Sequence, residues 1–302
     1  MAESARHDIL LETVYGELMS EIAPTNLSLS KIRELIEKAV LEAAAYLDSA
    51  VNSGEKLDVQ VKSDKTLVMN LDLESQRRIL TTLGTAYPIV AEEDPSSHNL
   101  IESSSSYFLV DPLDGTTSCK RFLGQRGGQV GYGPLVGFVE NNQLAVSAFY
   151  SVPHRTLFTA VRGEGAYARE YGATESRVLK PVPCKDLSTA GVLFFVSPYG
   201  EARVIESLRT RNAIENVYRF GGFANDCVRL AQGFEQVQLQ CNARPWDFSA
   251  VLLAAEAGYE VFCDPLGRRV PLREWRIEMN NAVAIMHREI VADFFAFVDS
   301  ME

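Results

Sequence analysis

The chain has 302 residues, 46% of them apolar and 23% charged, and its 29 basic side chains against 40 acidic ones give a net charge of −11. That is the composition of a globular protein with enough chain for one large or two ordinary cores. It disfavours broad binding to nucleic acid or an anionic membrane, which needs a basic face. No apolar run approaches the ~18 residues that span a bilayer. The first 21 residues are charged throughout and lack a signal-peptide core, so a cytoplasmic location is expected. The five cysteines (119, 184, 227, 241, 263) are widely spaced with no CxxC. They read as buried thiols, not as a disulfide framework or a zinc cluster.

In chain order, residues 31–50 place Ile32, Leu35, Ile36, Ala39, Val40, Ala43 and Leu47 on one face, a helical period. A second helix is predicted over 71–84, ended by Gly84. YPIVAEED (87–94) reads as a short buried strand breaking into acid, ESSSS (102–106) as an exposed loop, and YFLV (107–110) as a strand running into DPLDGTT (111–117). Residues 144–162 form two strand-like runs around SVPH, a hairpin, and GEGAYA (163–168) is turn and strand. YAREYGATESR (167–177) reads as a linker. With two prolines and little periodicity over 170–186, a domain boundary is placed there, giving domains 1–180 and 181–302. Beyond it, strands are predicted at 192–197, near 236–240, at 259–263 and at 281–287. Helices are predicted at 200–211, 224–233, 247–257 and 288–300. The first half reads as α+β and the second as α/β.

Carboxylates fall just past a predicted strand or at a helix start in four places: Asp72, the pair Glu92 and Glu93, the pair Asp111 and Asp114, and Asp247. Each has a plain structural explanation. Asp72 fits a solvated helix residue, and Glu92-Glu93-Asp94 fits an acidic turn. Asp247 fits an N-cap, and DPLD fits a type I turn. The sequence contains a control for the last, because DPLG (264–267) has the same turn chemistry without the second acid. DPLDGTT adds a carboxylate and two hydroxyls. Hard oxygen ligands suit Mg2+. Asp111 and Asp114, across a proline-stiffened bend, with the Leu113 carbonyl between them, could hold two neighbouring cations. The amides of Gly115, Thr116 and Thr117, if they open a helix, make an anion site. Phosphatases built on an aspartyl nucleophile place their acids two apart, and the spacing here is three, which disfavours that mechanism. The four histidines (7, 98, 154, 287) are scattered, so a Ser/His/Asp scheme has no support.

DPLDGTT, PWDFSA (245–250), VAEED (90–94) and VKSDKTLVMNLD (61–72) together resemble the motifs of the inositol monophosphatase family, and GGFANDCVRLAQG (221–233) resembles its pocket helix more weakly. These run in the family's order over most of the chain. The resemblance implies a layered αβαβα sandwich, α+β in the first half and α/β in the second, and commonly a homodimer. It implies a Mg2+-dependent, lithium-sensitive phosphomonoesterase acting on a small phosphate ester, with two ions and a weaker third. Glu92, Asp111 and the Leu113 carbonyl would hold the ion that activates water. Asp111 would bridge to a second ion held by Asp114 and Asp247, and Glu93 would support them or hold the third. Thr116 and Asp72 would orient and deprotonate the attacking water. Gly115 and Thr116 would bind phosphate, and Asp114, Gly222, Phe223, Ala224 and Gln240 would contact substrate.

Five positions depart from the family pattern. Ala91 replaces a glycine and Met69 a threonine; Gly222 and Phe223 stand where small Ser and Ala are usual. The fifth is Gln240, where inositol enzymes often place a glutamate. These leave the phosphate chemistry intact and put inositol specificity in question. Adenosine 3',5'-bisphosphate, fructose 1,6-bisphosphate and histidinol phosphate are the alternatives, with Arg219 and Arg244 as candidates for a second phosphate. A non-catalytic scaffold on the same fold is the remaining alternative.

Overall fold

The structure, a computed structural model, describes residues 27–53, 59–61, 67–125, 131–195, 216–218 and 221–300. Helix α1 (Leu29–Ser53) buries Ile32, Ile36, Ala39, Val40, Ala43 and Leu47 along one stripe, the face its sequence period predicts. Strands β1 (Val59–Val61) and β2 (Leu67–Met69) pair antiparallel and lead into α2 (Asn70–Leu83). Gly84, in the left-handed region at φ 63°, follows the last turn of α2. Both helices lie on one face of a seven-stranded sheet. Its order is β3 (Ile89–Ala91), β4 (Tyr107–Asp114), β5 (Gly133–Glu140), β6 (Gln143–Ser151), β7 (Thr156–Val161), β8 (Gly165–Glu170), β9 (Arg177–Val178). Only β3 and β4 run parallel; every other pair is antiparallel. The short helix α3 (Leu100–Ser103) and helix α4 (Thr116–Gln125) flank β4 in sequence.

A six-stranded mixed sheet follows. It is built from β10 (Gly191–Phe195), β11 (Asn216–Tyr218), β12 (Val237–Ala243), β13 (Glu260–Cys263), β14 (Val270–Pro271) and β15 (Asn281–Met286), in the order β11-β10-β12-β15-β13-β14. Helices α5 (Phe223–Ala231), α6 (Pro245–Phe248) and α7 (Val251–Ala257) connect its strands, and α8 (Val291–Asp299) closes the chain.

Three apolar cores separate the layers. One joins α1 and α2 to the first sheet through Phe108, Val110, Val136 and Phe138. The second lies between the sheets and takes Leu109, Leu135 and Phe149 from the first, α5 to α7, and Val283 and Ile285 from the second. The third packs Phe294 and Val298 of α8 on Val192, Val237 and Ala284. The order is therefore helices, sheet, helices, sheet, helix: the αβαβα sandwich. Each large apolar side chain so buried contributes roughly 1.5–3 kcal/mol.

Several predicted elements change shape. DPLD is not a turn: β4 runs through Asp114, and its pairing with β5 shifts register between Asp111 and Asp114, a bulge. The control behaves as a turn, with the Gly267 amide donating to the Asp264 carbonyl at 3.1 Å. Strand β5, buried on both faces, lacks the alternation that announces a strand, so the sequence does not predict it. The helix expected at 247–257 is two, α6 and α7, broken at Ser249-Ala250, where 3₁₀-type bonds tighten the chain. The helix expected at 288–300 begins as a 3₁₀ turn, Arg288–Ile290. Residues 167–170 of the expected linker belong to β8 and Arg177 to β9. The predicted helix at 200–211 lies outside the described residues.

Candidate active site

The end of β4 is where the acids meet. Side chains alternate along a strand. Tyr107 and Leu109 therefore face the inter-sheet core while Phe108 and Val110 face α1 and α2, and Asp111 inherits the inter-sheet face. Its Oδ1 accepts from the Leu113 amide at 2.9 Å, which stabilises the bulge. Asp114 emerges beyond that bulge and is met by the start of α5: the amides of Phe223 and Ala224 donate to its Oδ1 and Oδ2 at 2.9 and 3.1 Å. A carboxylate at a helix N-terminus gains both hydrogen bonds and the favourable end of the dipole. Asp247 arrives from the other sheet. It is not the N-cap but the third residue of α6, and its Oδ2 accepts from the Arg244 amide at 3.2 Å. One carboxylate oxygen from each of Asp111, Asp114 and Asp247 lies within 4.8 Å of the others.

Gathering three acids costs energy unless something positive joins them. Asp111 and Asp114 are buried and Asp247 is partly so. Burial, and then the charge of Glu92, pushes the Asp111 and Asp247 carboxyls well above the usual range. Burial also raises Asp114, against the amides of Ala224 and Phe223, which lower it. Without a positive partner, burial and mutual repulsion oppose ionisation of these carboxyls. A divalent cation reverses that balance, and carboxylate oxygens with a nearby carbonyl are the donor set of Mg2+. The residues therefore fit such an ion.

The other predicted residues distribute around this cluster. Glu92 follows β3, its amide bonded to the Val110 carbonyl at 3.0 Å, and its charge acts on all three aspartates. Glu93 is held through its amide by Gln76 of α2 at 3.0 Å. Asp72 is buried, 1% exposed, not solvated. Its Oδ1 lies 3.2 Å from the Thr116 hydroxyl, which also lies 3.1 Å from the Leu113 carbonyl. Gly115 takes φ 79° and α4 opens behind it, with the Cys119 amide bonded to the Gly115 carbonyl at 2.9 Å. Gly222 takes φ 124°, and a Cβ there would sit 2.9 Å from Asp114 Oδ2. Phe223 points its ring into the inter-sheet core. Gln240 is buried on β12. Its Nε2 reaches the Cys241 carbonyl at 3.5 Å, and no hydrogen bond joins it to the carboxylates among the described residues. Arg244 is half-buried, and its guanidinium donates to the Met279 carbonyl and to Asn280 Oδ1. Arg219 lies outside the described residues.

Three supporting residues lie outside the candidate carboxylates and their signature residues. Ser75 Oγ donates to the Pro112 carbonyl at 2.6 Å, Gln76 holds Glu93, and Ser118 Oγ donates to the Gly221 carbonyl at 2.5 Å. The signal for the first two is spacing. They stand three and four positions after Asp72, on the same helical face.

A model of the inositol monophosphatase family matches residues 28–295. The chain belongs to the inositol monophosphatase family. Among curated relatives, a Nus factor SuhB of Xylella fastidiosa is 28% identical over 247 residues, 78% of this chain and 83% of the relative. The inositol-1-monophosphatase of Bacillus subtilis is 25% identical over 229 residues, 73% of this chain and 80% of the relative. The fold of this family member matches the suhB protein of Bartonella henselae with a TM-score of 0.72 at 21% identity, covering 89% of this chain and 98% of the other. It matches an IMPase/NADP phosphatase solved with Mg2+ and phosphate with a TM-score of 0.69 at 21% identity, covering 89% and 95%. No helix among the described residues is long and apolar enough to cross a membrane.

Proposed function

We propose that this chain is a Mg2+-dependent phosphomonoesterase acting on a small phosphorylated alcohol, with inositol monophosphate as the type substrate. One observation carries the reading. Asp111 and Asp114 from one sheet and Asp247 from the connection after the other bring carboxylate oxygens within 4.8 Å, next to a hydroxyl–carboxylate pair, Thr116 and Asp72. Family membership supports it. The pieces are those of two-metal hydrolysis.

Asp111, Asp114, Asp247, Glu92 and the Leu113 carbonyl would hold two ions, with Glu93 placed for a weaker third. When bound, such ions polarise a phosphate oxygen and acidify water. The rest is the work of this chain's own groups. The amides of Gly115 and Thr116 at the start of α4 would orient the phosphate. Thr116 Oγ1 has one proton and two acceptors in reach, Asp72 Oδ1 and the Leu113 carbonyl. Donating to either leaves its lone pairs free to accept from an incoming water. Asp72, fixed at 3.2 Å, would then receive a proton passed through that hydroxyl. In this reading Phe223 and Ala224 act through the backbone amides that fix Asp114, and Gly222, with no Cβ, leaves room for its Oδ2. With Gln240 in place of a charged residue, a bisphosphate nucleotide or another polyol phosphate is the alternative substrate.

The test is phosphate release from inositol 1-phosphate, adenosine 3',5'-bisphosphate, fructose 1,6-bisphosphate and histidinol phosphate, with Mg2+ and with EDTA. Metal-dependent release from one of them is expected. Asp114→Asn lowers that release about 100-fold or more, scaled from the loss metal sites suffer when a supporting group goes, and leaves the circular dichroism spectrum unchanged. Full activity in that variant sinks the assignment. A second reading is a partner-binding role without turnover, favoured by the several relatives that carry the name Nus factor SuhB. It gains if neither turnover nor a Mg2+ response is found.

A further inference from the structure

The two halves of the acid cluster are tied together by a residue that belongs to none of the motifs. Strand β3 is the edge of its sheet, so one side of Ala91 has no strand partner. The turn that follows supplies one. Asp94 caps the 3₁₀ turn Pro95–Ser97, and Ser97 Oγ donates to the Asp94 carbonyl at 2.7 Å while accepting from the Ala91 amide at 3.1 Å. His98 Nε2 lies 3.0 Å from the Ala91 carbonyl. A carbonyl only accepts, so Nε2 carries the proton and donates. Both backbone polar groups of the residue just before Glu92 are thus held, the amide by Ser97 and the carbonyl by His98 together with the Asp94 amide at 3.2 Å. The other side of the same imidazole lies on Trp246, with ring centroids 4.6 Å apart and planes 33° apart. Trp246 is buried and immediately precedes Asp247. The cation ligands expected from β3 and from α6 come from chain segments more than 150 residues apart, and one imidazole touches the neighbour of each.

We infer that His98 is a positioning residue for the metal centre, setting Glu92 and Asp247 at a fixed separation through its bond to Ala91 and its stacking on Trp246. The inference rests on the metal-dependent reading above. Groups that orient metal ligands without touching the metal change affinity by about 10- to 100-fold when removed. A residue that merely capped an edge strand would lower thermal stability and leave affinity alone.

The experiment is Mg2+ titration by calorimetry of the wild-type protein, His98→Ala and His98→Phe, with steady-state kinetics at limiting and saturating Mg2+. His98→Phe keeps a ring against Trp246 and loses the bond to Ala91, so it decides the matter if His98→Ala fails to fold. The expected result is Mg2+ affinity about 10-fold weaker or more in His98→Ala and an intermediate loss in His98→Phe. KM for the phosphate ester is unchanged and turnover is restored when Mg2+ is raised to saturation. Affinity within two-fold of wild type in the folded variants overturns the inference and leaves the phosphatase reading standing. A wild-type protein that takes up no Mg2+ overturns both, and the wild-type arm separates the two failures.

Discussion

At the scale of single residues, the site is held by backbone groups that allow little change. Gly222 combines φ 124° with a Cβ position only 2.9 Å from Asp114 Oδ2. Gly222→Ala therefore strains the backbone by about 1–3 kcal/mol and pushes the carboxylate off the Phe223 and Ala224 amides. A lower melting temperature together with at least a ten-fold loss of phosphate release is expected; an alanine variant of wild-type activity contradicts this account of Asp114. Asp226, one turn further along α5, is buried with Oδ1 lacking a hydrogen-bond partner among the described residues. Burial first, then the charges of Asp114 and Glu235, raise its pKa well above the usual value, with Arg229 opposing. A raised folded-state pKa gives stability that is full below the unfolded value near 4 and is lost as pH rises toward the folded one, at about 1.4 kcal/mol per unit. Asp226→Asn removes that loss. Urea unfolding is expected to show the variant more stable than wild type at pH 8 and equal to it at pH 4. The sequence marked Asp114 through its motif. It gave no sign of Asp226's burial, because a charged residue in a helix is solvated by default.

Elements act here as rulers. Helix α2 presents Asp72, Ser75 and Gln76 on one buried face, and each meets a different piece of the site: Thr116, the Pro112 carbonyl and the Glu93 amide. Ser75→Ala leaves the Pro112 carbonyl unpaired in the bulge of β4, at a cost of about 1–3 kcal/mol. Thermal unfolding is expected to fall accordingly, with a matching loss of turnover because Asp111 and Asp114 flank that bulge; unchanged stability would show the carbonyl repaired by other means. Amphipathic α1 was readable from its period because one face meets a core and the other meets water. β5 was not, since both of its faces are covered, and the break between α6 and α7 was hidden because the apolar run continues across it.

At the scale of the whole molecule, the carboxylates come from both sheets: Asp111 and Asp114 end β4, while Asp247 follows β12. A cation that binds all three links the two sheets and binds only the folded chain. At 100 times its dissociation constant such a ligand stabilises by about 2.7 kcal/mol. Adding Mg2+ to EDTA-treated protein is therefore expected to raise the melting temperature progressively with concentration, and Asp247→Asn to abolish most of that rise. A melting temperature indifferent to Mg2+ would remove the metal from the account.

By itself the sequence determined the fold class and the family and pointed to Asp111, Asp114 and Asp247, which the structure gathers, because helical period and a contiguous signature such as DPLDGTT are local properties of a chain. The tertiary structure alone decided that Asp72 is buried, that DPLD is a bulged strand and that the α5 amides clamp Asp114. It also decided that Arg244 serves the 279–280 turn. Each of those facts depends on what lies across a layer boundary, supplied by residues far away in sequence, and burial and hydrogen-bond partners are properties of that packing and not of any segment read alone.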